Sequence, residues 1–320
     1  LDRVGMFVRL DSWRNSRLMS FTPPGFPAEL RGGLPVVLVT GTSSGIGLAL
    51  ARELMQTDFR VVLTAHRRSI HKLEERGLTE SSRVIIRAMD VTSKRDRDAV
   101  ILEIERRWGG VDILINNAGV AYRAVMEEMS GVDEERQQDI NYRGPMALCR
   151  RVLPHMRGSR WGRILNVSSV SGMMAMPTMG SYSASKWALE GASEALWYEM
   201  KPWNVRVTLI QIGFVHSQSF KNVRPPVARP HLEADRGPYR EYYRNMGPFV
   251  EAKMQAAHAT PEVIARRILS TLKRKSPPLR FPATKDARWF YFLRRMLPRR
   301  VYHLLMYLAL PGRREWVQDK

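Results

Sequence analysis

Cysteine is almost missing from this chain: Cys149 is the only one in 320 residues. An internal disulfide framework is therefore excluded, and no Cys or His cluster has the spacing of a zinc site. A reducing, cytoplasmic compartment is the resulting expectation. Long apolar runs are missing as well. None reaches the roughly 18 to 20 residues of a membrane span, and Arg3, Arg9, Asp11, Arg14 and Arg17 interrupt the N-terminus where a signal-peptide core would lie. Acidic residues are scarce: 31 Asp and Glu stand against 51 Lys and Arg, a net charge of +20. Such an excess suits nucleic acid, anionic membrane or phosphorylated ligands. No RNA- or DNA-binding motif accompanies it, so nucleic acid is not expected. Between Lys273 and Lys320, thirteen basic residues face three acidic ones and carry about half of the excess.

Apolar residues make up 44% of the sequence and are spread along it, enough for a large core. The chain starts at Leu1, which leaves a non-Met start, a fragment, or a start at Met6 or Met19 open. Residues 1–31 have no clear period and read as a flexible extension. From Pro35 onward, short β-branched runs alternate with helical stretches, the pattern of repeated βαβ units. The runs are Val36–Val39, Val61–Thr64, Val84–Ala88, Ile113–Ile115, Ile164–Val167 and Val205–Ile210, with a seventh short strand expected near Leu279–Phe281. The predicted fold is α/β: a Rossmann-type, doubly wound parallel sheet of six to seven strands, with helices on both faces and a C-terminal helical extension. Residues 32–275 form the catalytic domain in this reading, and 276–320 the basic extension. Within 214–258, five prolines, including Pro238 and Pro248, argue against a long helix and for a substrate loop. Thr260, Pro261 and Glu262 then open a helix running toward Lys273.

Strand Val36–Val39 leads at once into Thr40, Gly41, Thr42, Ser43, Ser44, Gly45, Ile46 and Gly47, followed by an amphipathic helix. Gly41 permits a tight turn, Gly45 lets the backbone approach a pyrophosphate, and Gly47 allows close helix–strand packing. The second strand ends at Ala65 with His66, Arg67 and Arg68 after it and no carboxylate at the position that would accept ribose hydroxyls. NADP(H) is therefore preferred over NAD(H). The competing reading makes Arg67 and Arg68 the start of a solvated helix.

Tyr182 and Lys186 stand four residues apart in a helical segment and share a face. A nearby ammonium stabilises phenolate and would lower the pKa of a phenol toward the working range. Alone, such a pair is an ordinary surface pair. Thirteen residues earlier, Ser169 closes a strand, with Ser168 as the alternative hydroxyl. With Asn116-Asn117-Ala118-Gly119 after the fourth strand and Asn141 in a later helix, these residues resemble the short-chain dehydrogenase/reductase family over about residues 35–275. The resemblance implies that Tyr182 exchanges a proton with the substrate oxygen and that Ser169 orients it. Lys186 would bind the nicotinamide ribose and activate Tyr182, and Asn141 would hold a proton-relay water. It also implies that Asp90 and Val91 hold the adenine, that Asn117, Ala118 and Gly119 line the cofactor cleft, and that Val215 meets the carboxamide. A departure from the pattern is Ile212-Gly213, where the family usually has Pro-Gly. The resemblance further implies a homodimer or homotetramer.

The expected activity is interconversion of a secondary alcohol and a ketone or aldehyde on a hydrophobic, lipid-like small molecule of steroid, retinoid or fatty-acyl type. The alternative is a protein that binds NADP(H) without turning it over. Met173, Met174, Met176 and Met179 either line an apolar pocket or fill core. In the tail, aromatics and arginines interleave from Arg288 to Arg300, and an apolar stretch follows to Leu310. Two short helices broken at Pro298 fit this pattern. They either pack on the protein or a second subunit, or make peripheral membrane contact.

Overall fold

The computed structural model describes residues 21–31, 33–217, 223 and 237–316. The possible starts at Met6 and Met19, and most of the middle of the expected substrate loop, lie outside these residues. Each β-branched run forms a strand: β1 (Val36–Thr40), β2 (Arg60–Ala65), β3 (Val84–Ala88), β4 (Ile113–Asn116), β5 (Gly162–Ser169), β6 (Val205–Ile212) and β7 (Arg280–Pro282). All pair in parallel in the order β3-β2-β1-β4-β5-β6-β7. The helices are α1 (Gly45–Met55), α2 (His71–Glu74), α3 (Lys94–Trp108), α4 (Gly131–Gln138), α5 (Gly144–Gly158), α6 (Gly180–Met200), α7 (Arg240–Gln255), α8 (Pro261–Leu272), α9 (Lys285–Met296) and α10 (Arg299–Leu308).

Alternation along the strands divides the core in two. Val37 and Val39 of β1 pack with Leu50 and Leu54 of α1 and Ile264, Ile268 and Leu272 of α8. Val36 and Leu38, pointing the other way, meet Ile101 and Ile104 of α3 and Leu148 and Val152 of α5. A strand covered on both faces has no use for a polar alternation, and this accounts for the continuous apolar runs. Sheet order reverses between β1 and β4, so a crevice opens beyond their carboxyl ends, where α/β sheets of this kind bind ligands. Side chains close the helix starts: Ser93 accepts from the Asp96 N–H, Thr260 from Val263, and Thr284 from Ala287.

Three expectations need correction. Prolines do not keep 214–258 free of a long helix, because α7 runs sixteen residues through Pro248. Pro248 lies on the exposed side of that helix, where water can serve the carbonyl that lacks an N–H partner, while Tyr243, Met246 and Gly247 are buried opposite. The leading segment is not loose throughout: Phe26 meets Trp161 edge to face at 5.0 Å, and the Trp161 indole donates to the Pro24 carbonyl at 3.2 Å. The sheet also continues beyond residue 275, since β7 adds its last strand at Arg280–Pro282. The two tail helices form as expected, with Pro298 between them.

Candidate active site

The turn after β1 is built to receive an anion. Gly41 and Gly45 have φ of +71° and +53°, a left-handed backbone that favours glycine. A Cβ on Gly41 would meet the Ala118 Cα at 2.7 Å, and one on Gly47 would meet the Gly41 carbonyl oxygen at 2.1 Å, so neither admits a side chain. A Cβ on Gly45 would meet nothing within 4 Å: the backbone there faces open space. Ser44 caps α1 in an extended conformation without a side-chain bond to the helix, and no acidic residue occupies the first turn. The N–H groups of Ile46 and Gly47 therefore open that helix uncapped, the arrangement a pyrophosphate requires. Asn117 fixes the turn, donating both amide protons at 3.0 Å to the carbonyls of Thr40 and Gly41. The N–H groups of Asn117 and Ala118 both reach the Thr40 hydroxyl at 3.0 Å. Arg76, which sequence reasoning missed, donates to the Ser43 carbonyl at 2.6 Å and so stands beside the same turn.

At the ends of β2 and β3 the basic and acidic side chains interleave. Arg67 donates to Asp96 at 3.2 Å, with its side chain 70% exposed, and His66 Nε2 lies 3.6 Å from Asp90. Arg68 donates its N–H to the His66 ring at 3.2 Å. The Asp90 N–H and the Arg67 guanidinium hold the Asp96 carboxyl below its usual range. Asp90 accepts from the N–H and hydroxyl of Thr92, closing a local turn rather than capping α3, whose cap is Ser93. Val91 is buried beside it.

Ser169, Tyr182, Lys186 and Asn141 come together where β5 ends against α6. The Ser169 hydroxyl stands close enough to the Tyr182 phenol to favour its charged form, and it accepts from the Ser171 N–H at 3.1 Å. Ser168, the alternative, is buried on the other side of the strand and neighbours Gly172. Lys186 is buried and donates to the Val167 carbonyl at 2.9 Å, with its ammonium 5.9 Å from the Tyr182 ring centre. Asn141, on a π-helical turn over Asp139–Arg143, donates to the Val120 carbonyl at 2.9 Å and to Ser185 Oγ at 3.0 Å, and accepts from the Val120 N–H. Both of its amide protons are committed to protein atoms. Gly119 lies between this residue and Lys186: a Cβ there would come within 3.3 Å of Asn141 Oδ1 and 3.8 Å of Lys186 Nζ.

The electrostatics differ from the expectation that Lys186 lowers the pKa of Tyr182. Burial pushes the Tyr182 phenol up, and only the Ser169 hydrogen bond pulls it down. The same burial pushes the Lys186 ammonium down to about 8, against the attraction of Glu190 one turn along α6. Excluding water penalises both charged forms at once, and this outweighs the help each could give the other. Glu190 is itself held by Arg280 at 2.8 Å and by Gln211 at 3.1 Å, a cluster invisible in the sequence. Cys149, pushed up to about 12 by burial, has no thiolate character.

A cavity of about 410 Å³ lies at the start of α6, lined by Val125, Met126, Met176, Pro177 and Gly180, with Glu127, Thr178, Tyr239 and Tyr242 at its polar side. The start of α7 fastens this wall: Tyr243 donates to Glu128 at 2.6 Å and accepts from the Val125 N–H. Of the four methionines, Met173 and Met174 are buried against Ala287 of α9, Met176 reaches the cavity, and Met179 precedes α6.

Comparisons with known proteins agree with this geometry. A family profile described as short chain dehydrogenase matches residues 35–228. The 3-ketodihydrosphingosine reductase of Bacteroides thetaiotaomicron is 31% identical over 247 residues, covering 77% of this chain and 86% of the relative. Among solved structures, a short-chain dehydrogenase from Streptomyces avermitilis superposes with a TM-score of 0.71 at 29% identity, covering 81% of this chain and 91% of the other. The closed form of serine dehydrogenase complexed with NADP+ gives a TM-score of 0.62 at 26% identity, covering 78% and 90%.

The depressed Lys186 pKa has a consequence for stability. Folded, the amine releases its proton near pH 8, whereas the unfolded chain keeps it to about 10.5. Between these values the unfolded state binds more protons, so the contribution of Lys186 to stability rises with pH, by up to about 3 kcal/mol. In urea titrations from pH 7 to 10.5 the Lys186→Met variant should lack this rise. Parallel curves for variant and wild type would show that the amine is not buried as described.

Proposed function

The chain belongs to the short-chain dehydrogenase/reductase family and is an oxidoreductase acting on CH–OH groups with a nicotinamide dinucleotide; from that premise we propose which residues act, on what, and with which cofactor. The neighbouring hydroxyls of Ser169 and Tyr182, with the buried Lys186 one helical turn away, carry the reading. The crevice between β1 and β4, with its uncapped α1 terminus and open Gly45, fits the dinucleotide, held by Gly41 to Gly47 and by Asn117, Ala118 and Gly119. When bound, the cofactor supplies or accepts the hydride. Ser169 and Tyr182 hold the substrate oxygen. A phenol kept protonated by burial is already in the state that donates a proton to a ketone oxygen, so the site at rest suits reduction. As the Tyr182 O–H breaks and the substrate O–H forms, the phenolate left behind is stabilised by Lys186 and Ser169. Asn141 fixes the 117–120 turn against α6 through its amide.

The preferred cofactor is NADP(H). His66, Arg67 and Arg68 follow β2 directly, with the two arginines supplying positive charge, and the carboxylates nearby, Asp90 and Asp96, come from the β3 side rather than from the end of β2. The substrate is a hydrophobic, lipid-like carbonyl compound. The apolar lining of the cavity supports this reading, as does the name of the Bacteroides relative, which specifies a ketone on a sphingoid lipid. The protein works at a membrane surface facing the cytoplasm. Among the described residues no helix is long and apolar enough to cross a membrane. In α9 and α10, however, Trp289, Phe292, Met296, Leu304 and Leu308 are exposed. Arg288, Arg295, Arg299 and Arg300 are exposed among them, a combination suited to anionic lipid.

Tyr182→Phe should lower NADPH-dependent reduction of long-chain 3-ketones, ketosteroids or retinals by about 10³-fold, with NADPH affinity retained. Undiminished turnover would remove Tyr182 from the mechanism, and tight NADPH binding by wild type without turnover on any of these would favour a sensor. Arg67→Glu should cut the ratio of kcat/KM for NADPH over NADH by at least about tenfold; an unchanged ratio would place the phosphate elsewhere. Reversing Arg295, Arg299 and Arg300 to Glu should abolish flotation with phosphatidylserine vesicles, since each basic residue near such a surface contributes about 1 kcal/mol. Equal flotation by the wild type and the triple variant would contradict membrane docking by this face.

A further inference from the structure

Four consecutive residues after β6, Gly213 to His216, contain Val215, which the family resemblance sets against the nicotinamide carboxamide. Chains with proline at position 212 restrict the backbone at the start of such a segment through the pyrrolidine ring. Here Ile212 stands there, and restraint comes from the far end of the sequence. The Gly213 N–H donates to Thr284 Oγ1 at 3.0 Å, and the Phe214 N–H donates to Asp286 Oδ2 at 2.7 Å. The His216 N–H donates to the Ala259 carbonyl at 2.7 Å. Among the described residues the Val215 N–H makes no such bond, so three of four successive donors are tied down around the one left for a ligand.

The anchor is firm. Ala283, Thr284 and Ala287 are all buried, and the Ala283 N–H extends the sheet by donating to the Gln211 carbonyl at 2.7 Å. Thr284 Oγ1 accepts a second bond, from the Ala287 N–H, so the hydroxyl that starts α9 is the one that holds Gly213. Asp286 sits in the first turn of α9, where the helix dipole favours a carboxylate. The approach is close enough to dictate glycine: a Cβ on Gly213 would lie 1.9 Å from Asp286 Oδ2.

We propose that Thr284 and Asp286 are positioning residues for the cofactor, holding the 213–216 turn so that the Val215 N–H faces the nicotinamide. This rests on the oxidoreductase reading of the site and on the family resemblance by which Val215 meets the carboxamide. Neither side chain touches substrate or cofactor; each acts through the backbone it holds. The C-terminal helices are therefore tied to the chemistry by two hydrogen bonds as well as by their apolar faces.

The test compares two ligands on the full-length protein by fluorescence titration: NADPH, and 2′-phospho-ADP-ribose, which has the adenine half and no nicotinamide. Asp286→Ala should weaken NADPH binding about tenfold, the scale of one charge-assisted hydrogen bond, and change 2′-phospho-ADP-ribose affinity by less than about twofold. A general structural defect would weaken both ligands together, and that result, or no loss for either, would overturn the proposal. Should Asp286→Ala not yield folded protein, Asp286→Asn takes its place. It keeps an acceptor oxygen without the charge, and a smaller loss confined to NADPH is expected; affinities equal to wild type for both ligands would count against the carboxylate. Binding is read without turnover, so a protein inactive on every ketone tried leaves this test readable while the oxidoreductase reading fails on its own.

Discussion

Lys186 is an amine kept out of water, and the surrounding structure answers that constraint. Burial, working against the attraction of Glu190, takes its pKa to about 8, so close to neutrality that small fields decide its charge. Two groups supply them: the Val167 carbonyl, which accepts its hydrogen bond, and Glu190 one turn along, which Arg280 and Gln211 hold in place. Tyr182 feels the same exclusion of water in the opposite sense and stays protonated. The helix that presents the pair is braced by Asn141, whose amide donates to Ser185 on that helix, and Ser185 in turn donates to the Tyr182 carbonyl at 2.7 Å. A side chain that carries charge only conditionally needs neighbours that do not move, and α6 with the ends of β5 and β6 provides them.

The cofactor cleft follows a different logic, one of removal. Gly41, Gly45 and Gly47 matter for what they lack, and Ser44 for not capping its helix. What is absent from the protein side is what an anion would supply. The sheet makes this possible at one place only, where its order reverses beside β1, and Thr40 and Asn117 hold the two sides of that reversal together.

Much of this was legible in the sequence because the signals are local. Strand β1 and the glycine turn are contiguous, and Tyr182 with Lys186 repeats at helical spacing, so periodicity and turn chemistry sufficed. The contacts that escaped notice join distant positions. Asp286 bonds to a residue 72 positions earlier and Arg280 to one 90 positions earlier, and no local pattern marks either. Helix α7 escaped because Pro248 is a strong local breaker, overridden by tertiary burial of Tyr243 and Met246. The direction of the Tyr182 shift escaped for a related reason: spacing reveals the neighbouring charge but not the loss of solvent around both groups.

The far end of the described chain is fastened to the wall of the cavity. Trp316 stacks on Tyr242 at 4.3 Å, and Gly312 lies against Asn245 so closely that a Cβ there would come within 2.4 Å of its side chain. Tyr242 lines the cavity, and α7 carries both contacts. Trp316 and Gly312 thus lash the last described turn to α7, so the wall of the cavity and the far end of the described chain are held as one piece.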